Sequence, residues 1–114
     1  MRFLSVFTHE ANPSPPNPEM MAKMGALIEV GMKEGWLIAT EGIQFGEKGV
    51  RVHSKRGKVT VTDGPFSEAK EVIGGYALLE APSFDAVVAL TRRFLTVAGD
   101  GSCEIHQLFV PPKS

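Results

Sequence analysis

Two side chains in this sequence have the types and positions of a general acid–base pair, Asp63 and His9. Asp63 ends an apolar, strand-like run and is followed by a Gly-Pro turn, which would hold its carboxylate rigidly enough to act as a general base. His9 closes the first strand-like run, in phase with Phe3 and Phe7, and an imidazole exchanges protons near neutral pH. Such a pair could transfer protons in a reaction on a small molecule.

Both residues also have a purely structural interpretation. The Asp63 carboxylate could accept backbone N–H bonds within its own turn, as aspartates in turns commonly do. His9 could simply be a solvent-exposed residue at the end of a strand. The sequence leaves both alternatives open.

Five further side chains are candidates for lining a binding cavity: Glu41, Glu68, Lys70, Tyr76 and His106. Inside a closed cavity His106 would need a hydrogen-bonding partner, and Glu41 or Tyr76 could provide it. It could equally be a satisfied interface histidine. Glu68 and Lys70 could instead pair on the surface, where ion pairs contribute little stability.

The histidine and cysteine spacing gives no reason to expect a metal site. His9, His53 and His106 form no H-x-H or H-x-x-x-H pair, and Cys103 is the one cysteine of the chain. The sequence also has no P-loop, dinucleotide-binding fingerprint or G-x-S-x-G motif. We therefore expect neither a metal nor another cofactor.

Length and charge narrow the class of protein. A chain of 114 residues predicts a single domain spanning residues 1–114. Its net charge of −1 creates no field that would attract nucleic acid, so we do not expect direct nucleic-acid binding. A single cysteine fits a reducing compartment, and no apolar run approaches the roughly 20 residues that span a bilayer. We expect a cytoplasmic protein with no membrane contact.

The apolar periodicity predicts the order β-α-β-hairpin-β-α-β. Asn17 followed by Pro18 is a typical helix start, and Gly35 a typical left-handed helix end. Predicted strands cover residues 3–8, 36–45, 75–81 and 103–110. The predicted hairpin places Val50/Val52 and Val59/Val61 around an Arg56-Gly57 turn. The second helix is predicted to run from Ser83 to Gly99. A stripe at helical spacing predicts the buried face of the first helix: Met21, Met24, Leu27, Ile28 and Met32.

This order predicts an α+β, ferredoxin-like βαββαβ fold with an inserted β-hairpin and both helices on one face of the sheet. The first strand is apolar on both faces, because Phe3 and Phe7 alternate with Leu4 and Val6. A bare apolar sheet face would be a sticky patch. A two-fold dimer that packs sheet on sheet would cover it and enclose a cavity, so we predict a homodimer.

The stretch TDGPFSEAKE at residues 62–71, with IGGY at 73–76, closely resembles the signature of the DGPF branch of the YCII-related proteins. The resemblance continues in EGIQ at 41–44 and EIHQLF at 104–109, and covers nearly the whole chain. It implies a dimeric α+β barrel built from ferredoxin-like halves. Most relatives of this kind have no assigned activity.

The resemblance also implies two kinds of function. Some DGPF proteins resemble partners or fused modules of extracytoplasmic-function sigma factors, whereas a few YCII-type relatives resemble lyases that act on muconate-like acids through a His/Asp pair. Those lyases have a histidine on the first helix, where this chain has Met20, Met21 and Met24. We therefore expect a ligand-binding or regulatory module for a small carboxylic acid, with a lyase or isomerase as the alternative.

Overall fold

The computed structural model describes residues 1–10, 17–43, 49–63, 71–109 and 111. These residues form six strands and two helices. In chain order they are β1 (Arg2–Glu10), α1 (Pro18–Glu34), β2 (Leu37–Gly42), β3 (Val50–Lys55), β4 (Lys58–Asp63), β5 (Glu71–Glu80), α2 (Phe84–Ala98) and β6 (Ser102–Gln107). Neither helix is long and apolar enough to cross a membrane.

Four strands form one antiparallel sheet in the order β2-β5-β1-β6. The strands of the two β-α-β halves therefore interleave, which is consistent with a ferredoxin-like fold. The predicted α+β class is confirmed. Strands β3 and β4 pair only with each other, in a separate two-stranded sheet.

Capping side chains define the helix starts that the sequence predicts. The Asn17 side chain accepts a hydrogen bond from the Met20 backbone N–H at 2.7 Å, and Ser83 Oγ accepts one from the Ala86 N–H at 3.1 Å. Each bond satisfies a backbone donor that has no partner inside its helix. Gly35 ends α1 with φ +85°, as the predicted left-handed cap requires.

Several predicted strand boundaries differ from the structure, among them the end of β2, which is at Gly42 rather than Phe45. Strand β5 begins at Glu71 rather than Gly75, since Gly74 is an extra residue in the pairing with β1 and the ladder continues beyond it. A second irregularity lies in β2, where the pairing with β5 skips Ile38. The last strand ends at Gln107, and the Leu108 N–H still bonds the Arg2 carbonyl at 2.8 Å.

The buried core lies between the four-stranded sheet and the helices. It consists of Phe3, Leu37, Leu79, Ala81 and Val87. Phe3 is fully buried, and its ring meets the edge of Phe84 on α2 with 4.9 Å between ring centroids. Phe3 and Phe7 thus point to the helices, so Leu4 and Val6 lie on the opposite side of the sheet.

Helix α1 uses a slightly different face from the predicted one. Met21 and Met32 are exposed at 61% and 48%, so their assignment to the buried stripe was wrong. The residues that turn towards the sheet are Met20, Met24, Leu27 and Ile28. These positions still follow helical spacing.

The side of the sheet away from the helices is here called the open face. Directly opposed residues on neighbouring strands share a face, so the pairing register assigns its members. They are Ala39, Glu41, Ile73, Tyr76, Leu78, Leu4, Val6, Thr8, Ser102, Glu104 and His106. All are half-buried or exposed.

Strands β3 and β4 turn at Arg56 and Gly57, which have φ values of 51° and 79°. Two successive positive φ values are typical of the tight turn that matches the twist of a two-residue hairpin. All residues of both strands are exposed. Val52 lies directly opposite Val61, so the valines share one face of this hairpin.

Two glycines inside α1 give a matched test of its packing. A Cβ on Gly25 would meet no atom within 4 Å, whereas one on Gly31 would lie 2.8 Å from both Leu37 Cβ and the Trp36 ring. We expect Gly25→Ala to stabilise the protein by about 0.5–1 kcal/mol, because it improves helix propensity. We expect Gly31→Ala to destabilise it by about 1–3 kcal/mol through overpacking.

Urea denaturation measures both free energies of unfolding. Equal effects of the two substitutions would contradict the close approach of α1 to Trp36 and Leu37.

Candidate functional site

A cavity of about 290 Å³ lies between the four-stranded sheet and the two helices. The sheet contributes small residues to it, among them Ser5, Gly75 and Ala77, and the helices contribute large apolar ones. The helical residues are Met20, Met24, Leu27, Ile28, Leu90 and Phe94. Because the small residues of the sheet do not reach the long side chains opposite, space is left between them.

The hydroxyl groups in the cavity wall already have protein partners. Thr40 Oγ1 donates to the Tyr76 carbonyl at 2.8 Å, and Thr91 Oγ1 donates to the Val87 carbonyl at 2.8 Å. The described lining residues include no lysine, arginine or histidine. The described part of the cavity wall therefore presents mostly apolar surface and offers no cation to an acidic ligand.

Cys103 reaches the cavity from β6, near Ser5. Burial raises the pKa of the Cys103 thiol, and its hydrogen bond with Ser5 offsets part of that effect. A thiol with a raised pKa stays protonated at neutral pH, and the protonated form is a poor nucleophile. This environment suits an inert wall residue.

His9 lies on the helix side of β1, in phase with Phe7 as its position predicts, and the two rings are 5.7 Å apart between centroids. Its Nδ1 lies 2.7 Å from the Glu10 carbonyl oxygen. The ring occupies space above Gly74, where an added Cβ would come within 2.5 Å of it. The bulge glycine of β5 thus accommodates the imidazole.

Glu41 and Tyr76 form a hydrogen-bonded pair on the open face. The Tyr76 hydroxyl donates to Glu41 Oε1 at 3.0 Å, and the two residues lie directly opposite each other on β2 and β5. The hydrogen bond to Glu41 raises the pKa of Tyr76, with smaller contributions from burial and from the carboxylate charge. All three effects favour the protonated phenol.

His106 has a different partner from the predicted ones. Its Nε2 lies 2.6 Å from Glu104 Oε1, so the expected pairing with Glu41 or Tyr76 was wrong. Strand β1 lies between β5 and β6, which keeps Tyr76 about 10 Å from the row of His106, at roughly 4.8 Å per strand. The E-x-H spacing was the missed signal, because residues i and i+2 of a strand share a face.

Asp63 lies at the exposed end of β4, opposite Val50. It belongs to the two-stranded sheet, whereas His9 belongs to the four-stranded one. The acid–base role of these two residues stays a prediction. Glu68 and Lys70 lie outside the described residues.

No group of three histidine, cysteine, aspartate or glutamate side chains that could hold a metal ion is found in the described part of the chain. Among the described residues of the cavity wall Glu41 is the single carboxylate, and its side chain bonds Tyr76 on the open face. The site that the structure offers is therefore an apolar cavity. It lies on the helix side of the sheet, whereas the sequence had predicted a cavity on the open face.

Comparison with known families identifies the chain. The sequence model of the YCII-related domain matches residues 1–109. The protein therefore belongs to the YCII-related family, as the motif resemblance predicted. No curated protein matches the chain at a significant level.

The Glu41–Tyr76 pair can be tested directly because Tyr76 is the one tyrosine of the chain. We expect Glu41→Gln to lower the pKa of Tyr76 towards its ordinary value of 10.0, since the charged acceptor is lost. Absorbance of the tyrosinate, followed as pH rises, measures this pKa. Glu104→Gln removes a carboxylate on the same face and should leave the titration of Tyr76 unchanged. Equal midpoints of the Tyr76 titration in the wild type and in Glu41→Gln would contradict the pairing.

Proposed function

We propose that this YCII-related protein is a non-catalytic ligand-binding module and that the cavity between helices and sheet is its ligand site. The observation that carries the proposal is the cavity itself, about 290 Å³ in volume and lined mainly by apolar side chains. Small-molecule sites are concave, mostly apolar and largely preformed, with volumes from about 300 Å³ upwards. The cavity lies at the lower end of that range, so the ligand is small.

The wall chemistry favours an uncharged, apolar ligand over the small carboxylic acid that the family resemblance implies. A carboxylate in this cavity would lose its hydration without gaining a lysine, arginine or histidine partner among the described lining residues. Burying an unpaired charge is strongly unfavourable. A short alkyl or aromatic alcohol fits better, because one hydroxyl can share a wall oxygen while the rest contacts methionine and phenylalanine side chains.

Ligand binding would also fix the position of α1. The helix contributes Met20, Met24, Leu27 and Ile28 to the cavity, and none of them is fully buried. A ligand that fills the space adds contacts between α1 and the sheet, and so stabilises the protein by mass action. This supports a regulatory role, in which occupancy of the cavity changes the surface that α1 presents.

We also propose that the protein belongs to the DGPF branch of the family and is linked to sigma-factor regulation. Both are supported by the resemblance of residues 62–76 to the DGPF signature. A cytoplasmic location is supported by the single cysteine, which fits a reducing compartment.

A homodimer formed through the open face is also part of the proposal. Leu4, Val6 and Leu78 lie side by side at the centre of that face, and the described helices pack on the opposite side of the sheet. A second copy would remove this apolar surface from water, which stabilises the dimer by about 25 cal/mol for each Å² of apolar surface buried. Two sheets packed face to face would then lie about 10 Å apart.

The ligand class is tested with n-octanol and octanoate, which share a chain and differ in charge. We expect octanol to raise the melting temperature and to change the fluorescence of Trp36, the one tryptophan, which lines the cavity. Octanoate should bind at least tenfold more weakly. Equal binding of the two compounds would contradict an uncharged ligand, and no binding of either would contradict the site.

Two alanines on opposite faces of the sheet locate the binding. Ala77 faces the cavity, and Ala39 lies on the open face. Ala77→Leu should fill the cavity and weaken octanol binding at least tenfold, whereas Ala39→Leu should leave it unchanged. Thermal unfolding without ligand shows that both variants are folded.

The dimer is tested by light scattering coupled to gel filtration. We expect the wild type to have about twice the 12.3 kDa mass of one chain. Val6→Glu places a carboxylate at the centre of the open face and should give a monomer, because burying that charge without a partner is unfavourable. Met21→Glu, at an exposed position on α1, should remain a dimer; a monomeric wild type would contradict the proposal.

A further inference from the structure

We infer that the β3–β4 hairpin is an arm that docks on the open face of a second copy of this chain. The inference rests on the homodimer proposed above and specifies a contact within it. Four observations support it: the exposure of the hairpin, its projection from the body of the chain, a groove at the end of the open face, and the opposite charges of the two surfaces.

The hairpin exposes an apolar face. Val50, Val52, Val59 and Val61 are exposed at 57%, 64%, 61% and 64%. An isolated two-stranded hairpin is at best marginally stable in water and needs a packed face. The valine face therefore requires a surface to cover it.

The body of the same chain does not cover this face. The radius of gyration is 16.3 Å, compared with roughly 13 Å for a compact chain of about this length. The hairpin pairs only with itself, and its residues are exposed throughout. A surface on another molecule is thus required.

The open face has a groove at the end from which the hairpin leaves. Its volume is about 570 Å³, and Val6, Thr8 and Ile73 form its apolar part. Strand β2 ends at Gly42 and β5 begins at Glu71, so both connections to the hairpin start at this end of the sheet. In a two-fold dimer whose axis runs along the strands, each hairpin leaves beside the groove of the other copy.

The charges of the two surfaces are complementary. Across residues 50–63 the hairpin carries four basic side chains and one carboxylate, namely Arg51, Lys55, Arg56, Lys58 and Asp63, whereas Glu71 and Glu104 line the groove. Valines on one surface would face Val6 and Ile73 on the other, and a hairpin of net positive charge would approach a groove of net negative charge. Such matching fixes the register of an interface and speeds association. Two-fold symmetry produces each contact twice.

Mixed cross-linking tests the arm. One preparation carries Val61→Cys and the other Ile73→Cys, both with Cys103→Ser, and the two have tags of different length. Each chain then has one thiol, so a disulfide between them can form only across two molecules. After mixing under a mild oxidant, we expect a band of the mixed dimer on a non-reducing gel that disappears on reduction.

Thr60→Cys is the matched control, because Thr60 neighbours Val61 on the same strand but points to the polar face. We expect at least fivefold less mixed dimer with this variant. Equal cross-linking from positions 60 and 61 would contradict the docking of the hairpin on the second copy. The absence of cross-linking from position 61, while light scattering shows a dimer, would also contradict it. Neither result would contradict the homodimer. A monomeric wild type would overturn both.

Discussion

Strand β1 sets the constraint on which the rest of the structure depends. It is hydrogen-bonded on both sides, to β5 and to β6, and it is apolar on both faces. On one face Phe3 is fully buried against α2. On the other face Leu4 and Val6 are half-buried beside Leu78, and no described helix covers them. A central strand of this kind can be satisfied only by two layers, one on each face of the sheet.

The two helices cover one face of the sheet but do not fill all the space above it, and the unfilled space is the cavity. Ser5, Gly75 and Ala77 are small, while α1 reaches towards them with Met24 and Leu27. Closer approach of α1 is limited near its end, where Gly31 already touches Trp36. Because this contact stops α1 from moving closer to the sheet, a space remains above the small residues of the sheet. The same packing that supports the helix therefore leaves the cavity.

Features governed by neighbouring residues could be predicted from the sequence. The helix starts at Asn17 and Ser83, the left-handed Gly35 and the Arg56-Gly57 turn all follow from local backbone chemistry. The two faces of β1 follow from its alternation, and the family follows from a specific motif.

Features that depend on strand order or packing distance could not be predicted in the same way. The partner of His106 depends on which strands are neighbours, and β1 separates it from Tyr76. The cavity depends on the distance between α1 and the sheet. The apolar pattern of α1, which includes Met24, would be the same if the helix packed tightly on the sheet and left no cavity. At the start of α1 the side chain that faces the sheet is Met20 rather than Met21, and periodicity alone does not distinguish two neighbouring positions at the border of an apolar stripe.

The irregular pairing of β2 at Ile38 has a consequence for assembly. Strands β2 and β6 are the borders of the four-stranded sheet, where unpaired backbone groups can recruit another chain and start a fibril. The bulge breaks the regular spacing of those groups along β2, and β6 carries the charged side chain of Glu104, which disfavours pairing with another strand. Both borders are thereby poor templates for strand addition, which disfavours growth of the sheet from one chain to the next.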